Sequence, residues 1–119
     1  MNHSDLMDNA LTDVNDSVLI VIDVQQCFLE KIPREKMQAV LNRMSWIVQA
    51  ATKLDVPIIA TAEQKDINGG NVAQLSDYFP VATKEFNKLS FGVAGEPAIL
   101  SAIKDTKRKT AVLIGLETD

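Results

Sequence analysis

The chain has 119 residues, a length that suits one domain, and 46% of them are hydrophobic while only 5% are aromatic, so any core is aliphatic. Twelve Lys and Arg stand against 16 Asp and Glu, a formal charge of −4. That balance argues against a nucleic-acid partner, which requires clustered cations to neutralise phosphates, and no polybasic run marks a membrane surface.

The N-terminal stretch carries Asp5, Asp8, Asp13 and Asp16 and no basic segment, so it is not a signal peptide. Residues 1–16 read as a flexible acidic leader, and residues 17–119 as the folded domain. The longest strongly apolar run, Val18 to Ile22, is far too short to span a bilayer. A single cysteine, Cys27, excludes an internal disulfide framework and fits a reducing compartment, with the cytoplasm as the expected location.

Ser17 to Asp23 is a β-branched apolar run that ends on an acid. It lacks polar alternation, the pattern of a central parallel strand buried on both faces. Pro33 then opens a helix. Met37, Val40, Leu41, Met44, Ile47, Val48, Ala51 and Leu54 recur at three- and four-residue steps along one stripe. Asp55-Val56-Pro57 breaks it, and Ile58 to Thr61 reads as a second strand. Ile67 to Gly70 is loop, Val72 to Phe79 holds a short helix, and Ala82 to Phe86 is a weaker third strand. Gly95-Glu96-Pro97 announces another helix, ended by the polar stretch Lys104 to Thr110. Ala111 to Gly115 is a fourth strand. This alternation predicts an α/β fold: a doubly wound, Rossmann-like parallel sheet in three αβα layers.

In such sheets ligands bind beyond the carboxyl ends of the strands. That rule selects Asp23 with Gln25, the stretch Thr61 to Lys65, Asn87 with Lys88, and Gly115 to Asp119. A carboxylate ending a buried strand is costly unless paired or hydrogen-bonded. Asp23 is therefore either a functional acid or the cap of the following turn. No GxxxxGK[ST] loop is present, so a nucleotide-binding module of Walker type is not supported. Trp46 lies beside the helix stripe and reads as core or interface. Lys104, Lys107, Arg108 and Lys109 follow a helix and complement its dipole.

Three segments resemble signatures of one family. Ile20-Val21-Ile22-Asp23-Val24-Gln25-Gln26-Cys27-Phe28 is similar to the strand and D-x-Q-x-x-F opening of the isochorismatase-like hydrolases. Lys88-Leu89-Ser90-Phe91 resembles the second signature. Ala111 to Asp119 resembles the third, a strand followed by G-hydrophobic-x-T and an acid. They occur in order and at suitable intervals.

The resemblance implies a six-stranded parallel sheet in the order 3-2-1-4-5-6, of which four strands are present here. It implies a Cys–Asp–Lys triad that attacks an amide or related C–N bond of a small molecule. Asp23 is then the general base and Lys88 its partner. Gln25, Phe28, Glu63, Gln64 and Phe91 are the expected substrate-binding residues, with solvated loop positions as the alternative for Glu63 and Gln64. No cofactor is expected. No metal is expected either, because the stretch after the second strand has no histidine and His3 lies in the leader. The family's nucleophile follows the third signature, two residues beyond Asp119. Cys27 falls elsewhere, in the strand-to-helix turn. The expectation is of a chain cut before its nucleophile and inactive as it stands, with a bare edge at the fourth strand and poor stability or self-association in isolation. The full-length parent is expected to be a homo-oligomer. The competing reading is a non-catalytic small-molecule-binding or oligomerisation module of the same fold.

Overall fold

The computed structural model describes residues 13–89 and 96–116. After a 3₁₀ turn at Val14–Asp16, the elements are β1 (Ser17–Ile22), α1 (Gln26–Leu29), α2 (Arg34–Lys53), β2 (Ile58–Glu63), α3 (Lys65–Asn68), α4 (Ala73–Ser76), β3 (Glu85–Lys88), α5 (Pro97–Asp105) and β4 (Thr110–Gly115). The four strands are all parallel, in the order β3-β2-β1-β4. The chain is the three-layer, doubly wound α/β fold that the alternation predicts.

The order explains the layers. The step from β1 to β2 and the return from β3 to β4 run in opposite directions across the sheet. Right-handed crossovers therefore lay α2 on one face and α5 on the other. Leu19 and Val21 of β1, with Ile58 and Ala60 of β2, join Leu41, Met44, Val48 and Ala51 of α2 in one buried cluster. Val112 and Ile114 of β4 pack against its margin. The alternate residues Val18, Ile20 and Ile59 are buried as well, as is Ile99 of α5. β1 is thus covered on both faces, which is why its sequence is apolar without alternation.

Three local expectations shift. β2 continues two residues past Thr61, to Glu63, because its ladder with β3 runs that far, from Ala60↔Glu85 to Glu63↔Lys88. β3 starts later than its apolar residues suggest and ends on Lys88. Thr83 closes a turn onto the Pro80 carbonyl, which takes Ala82 and Thr83 out of the strand. A single helical turn, α3, occupies part of the loop read at Ile67 to Gly70.

β4 ends the sheet on the β1 side, and its exposure alternates. Leu113 is 60% exposed, an apolar side chain with little cover among the described residues. Trp46, expected in the core or at an interface, is not core: it lies 70% exposed on α2. Among the described residues no helix is long and apolar enough to cross a membrane.

Candidate active site

β1 reaches its last residue, Ile22, and the chain turns sharply at Asp23. Asp23 adopts a left-handed backbone, with φ of +52°. Aspartate tolerates this region better than most residues, because its short side chain finds local partners. The Asp23 N–H still donates to the Thr61 carbonyl at 3.0 Å, one step beyond the strand, and the Gln25 N–H turns back onto the Asp23 carbonyl at 2.9 Å.

That turn leaves the Asp23 carboxylate buried at the carboxyl end of the sheet, 3% exposed. Both oxygens are engaged. Lys88 Nζ lies 2.8 Å from Oδ2, and the Thr61 hydroxyl donates to Oδ1 at 2.8 Å. Lys88 is itself fully buried, at 0% exposure. The last residue of β3 therefore reaches across β2 to the end of β1. Burying two charges is costly, and the cost is met only when the pair is close and further hydrogen bonds complete it. The geometry here satisfies both conditions.

Asp23, Gln25, Glu63 and Lys88 come together from three strand ends, although 65 residues separate the first from the last. Gln25 is completely buried, and its amide is spent on main chain. Its Nε2 donates to the carbonyls of Glu63 at 3.0 Å and Gly69 at 2.6 Å, and its Oε1 accepts the Glu63 N–H at 2.9 Å. Gln25 thereby ties the turn after β1 to the end of β2. Glu63 is buried, and its register with Lys88 puts both on one face of the sheet. Asn68 Nδ2 donates to its carboxylate at 3.2 Å. Gln64 is exposed at this rim, with φ of +43°, and its N–H donates to the Lys88 carbonyl at 2.9 Å. Phe28 is buried in α1 with the Lys31 ammonium 5.3 Å from its ring centre. Phe91 lies outside the described residues. Cys27, the single thiol, is half-buried in α1.

The structure adds residues that sequence reading did not single out. Thr61 lies inside the selected stretch, where the sequence assigns it no role. Nothing in the sequence around Glu85 points to the site. Asn71 is buried and follows Gly69-Gly70, a pair whose first member has φ of +74° and whose second lies against the Glu85 carboxylate; that pair is the one available signal. Its main-chain N–H and its Nδ2 both donate to Glu85 Oε2, at 2.9 and 2.6 Å, while Lys65 pairs with Glu85 Oε1 at 2.9 Å.

Burial alone would push the Glu85 carboxyl up. The side-chain and main-chain hydrogen bonds from Asn71, then Lys65, outweigh it and hold the group below the ordinary 4.5. A depressed carboxyl contributes stability above its unfolded value, and that contribution is lost as pH falls through the folded value. The stability difference between the parent and Glu85→Gln is accordingly expected to be largest above about pH 5 and to shrink below about pH 4. Urea unfolding of both proteins across that range measures it, and a difference that grew on acidification would contradict the assignment.

The sheet order reverses between β1 and β4, since β1 leads to β2 on one side while β4 lies on the other. Asp23 sits at that switch point, where open α/β sheets hold their ligands. The isochorismatase domain family matches the chain over residues 17–119. The chain belongs to the isochorismatase family. The Asp23–Lys88 pair lies within the matched isochorismatase domain, as does every other contact described here from Ser17 onward. No curated protein matches at a significant level.

Three solved structures share the fold. The MAR1 ribonuclease of Caenorhabditis elegans superposes with a TM-score of 0.77 at 24% identity. The YcaC gene product of Escherichia coli, described as an octameric hydrolase of unknown specificity, gives 0.75 at 21%. YcaC of Pseudomonas aeruginosa, solved with hexane-2,5-diol and covalent acrylamide, gives 0.71 at 20%. In each case the superposition covers 87% of this chain and 52% of the other, so the chain spans about half the length of these structures.

Proposed function

We propose that this chain carries the acid–lysine half of a Cys–Asp–Lys hydrolase site, and that the parent reaction is hydrolysis of an amide or related C–N bond in a small molecule. The buried Lys88–Asp23 pair, 2.8 Å apart at the switch point of the sheet, carries the proposal. Lys88 and Thr61 hold one carboxylate oxygen each and so fix the orientation of the base. In the proposed reaction a thiol entering after β4 gives its proton to Asp23 and attacks the carbonyl carbon. The proton then passes to the departing amine as the C–N bond breaks. Water, deprotonated by Asp23, releases the acid from the thioester and restores the thiol. The covalent acrylamide in Pseudomonas aeruginosa YcaC supports an electrophile-accepting centre in this fold. The Escherichia coli octamer supports a homo-oligomeric parent. A net charge of −4 favours a small-molecule substrate over the RNA implied for MAR1.

One observation favours a second reading for the 119 residues taken alone. Their only thiol is Cys27, on α1 before the long helix rather than after β4. By themselves they are proposed to act as a binding or oligomerisation module without turnover.

The test joins residues 1–119 to a thiol-bearing continuation, either read from the coding sequence or taken from the equivalent segment of Escherichia coli YcaC. A panel of small amides is then assayed. Hydrolysis is expected in the extended protein and not in the 119 residues alone. Asp23→Asn is expected to lower kcat by about 10²–10⁴-fold, the usual size of a general-base contribution. Activity that survives replacement of the added cysteine by alanine would sink the cysteine mechanism.

A further inference from the structure

We propose that Asn71 is a positioning residue for the Asp23–Lys88 pair, acting on Asp23 through both of its main-chain neighbours. Its functional meaning rests on the reading of Asp23 as the site's base, but its geometry does not.

The need for such a residue starts with the backbone. The left-handed conformation at Asp23 is disfavoured for any residue with a Cβ, so surrounding structure must hold it. Two main-chain groups adjoin the turn. One is the N–H of Val24, the next residue. The other is the Thr61 carbonyl, which accepts the Asp23 N–H. Asn71 takes both with a single amide. Its Oδ1 accepts the Val24 N–H at 2.9 Å, and its Nδ2 donates to the Thr61 carbonyl at 2.9 Å. The adjoining Val72 N–H donates to the Val24 carbonyl at 2.9 Å, so the chain around Asn71 is docked on the same turn. Thr61 completes the ring by donating its hydroxyl to Asp23 Oδ1.

Only a side-chain amide offers a donor and an acceptor at this fixed spacing. A carboxylate would present acceptors alone, and an aliphatic chain neither. Asn71 is itself held by Glu85, and Glu85 by Lys65. Gly70 permits that approach, because a Cβ there would stand 2.5 Å from Glu85 Oε1. The result is a chain of support that reaches the acid through the main chain on either side of it.

The test reads the ion pair directly in the 119-residue chain. Lys88 has no exposed surface and contacts Asp23 at 2.8 Å, so its ammonium protons are expected to exchange slowly enough for ¹⁵N NMR. Asn71→Ala is expected to speed that exchange about tenfold, in line with the loss of two buried hydrogen bonds to the turn. Val48→Ala, a cavity under α2 at a side chain that makes no hydrogen bond to the turn, supplies the comparison at similar global destabilisation. It is expected to leave the Lys88 signal unchanged. Should Asn71→Ala fail to fold, Asn71→Asp takes its place. That variant keeps the acceptor for Val24, removes the donor to Thr61, and is expected to move the Lys88 signal in the same direction. Equal effects from the position-71 variant and Val48→Ala, or no effect from the former, would overturn the proposal. Amide hydrolysis by the thiol-bearing protein is scored separately. An Asn71-specific effect with no hydrolysis therefore removes the catalytic reading and leaves the positioning role. Hydrolysis without an Asn71-specific effect does the reverse.

Discussion

Lys88→Met is expected to destabilise the chain by about 3–5 kcal/mol, the cost of removing one partner from a buried ion pair. Methionine fills a similar volume, so packing is nearly kept and the loss is electrostatic. What remains is the Asp23 carboxylate, 3% exposed, with the Thr61 hydroxyl still bound but without its counter-charge. A small domain has only about 5–15 kcal/mol in hand, so the variant stands near the limit of folding at neutral pH. The double variant Asp23→Asn with Lys88→Met is expected to be more stable than Lys88→Met alone, because no buried charge is left unpaired. Urea unfolding of the parent, the two single variants and the double variant closes the cycle. A single-variant cost below about 1 kcal/mol, the range of an exposed pair, would show that the pair is solvated and not buried.

Gly115→Ala is expected to cost about 1–3 kcal/mol, the usual penalty for forcing an extra carbon into a packed site. A Cβ on Gly115 would stand 2.7 Å from the Ile22 carbonyl oxygen and 3.2 Å from the Ile22 Cβ. The atom most encroached on is main chain, so no rotamer change relieves it. Gly115 pairs with Ile22 in the β1–β4 ladder, and Asp23 is the next residue. The displacement therefore falls on the strand end that aims the acid. Thermal unfolding measures the stability loss, and a shift of the Asp23 and Thr61 amide resonances locates the movement. A variant as stable as the parent with unmoved resonances would show that the β1–β4 gap is wider than the structure has it.

The two strands that meet in that gap show how far local sequence carries. β1 is apolar from Val18 to Ile22 because both of its faces are covered, and that pattern is written in those five residues without reference to any other segment. β4 has the same pattern, yet Leu113 is 60% exposed. A run of aliphatic residues states what a strand is suited to have beside it, not what is there among the described residues. The long stripe on α2 is similarly legible, since periodicity is a local property, and Leu41, Met44, Val48 and Ala51 are buried as read. Its last apolar member, Leu54, is 59% exposed, because the helix ends at Lys53 and Leu54 is its C-cap, outside the helical periodicity.

For the site, the sequence by itself determined the types of the principal groups. An acid at the end of a buried strand is conspicuous in any chain, and the family resemblance singled out Lys88. Tertiary structure alone decided who touches whom. Thr61 and Lys88 divide the two oxygens of Asp23, Gln25 spends its amide on the main chain of Glu63 and Gly69, and Asn71 accepts the N–H of Val24 in the turn. These partners lie 38 to 65 residues apart. Periodicity and turn chemistry report on neighbours along the chain, whereas a hydrogen bond between strand ends depends on register. The register that brings Lys88 level with Glu63 is set by the whole ladder between β2 and β3. A shift of one residue there would turn Lys88 to the opposite face and leave Asp23 without its partner.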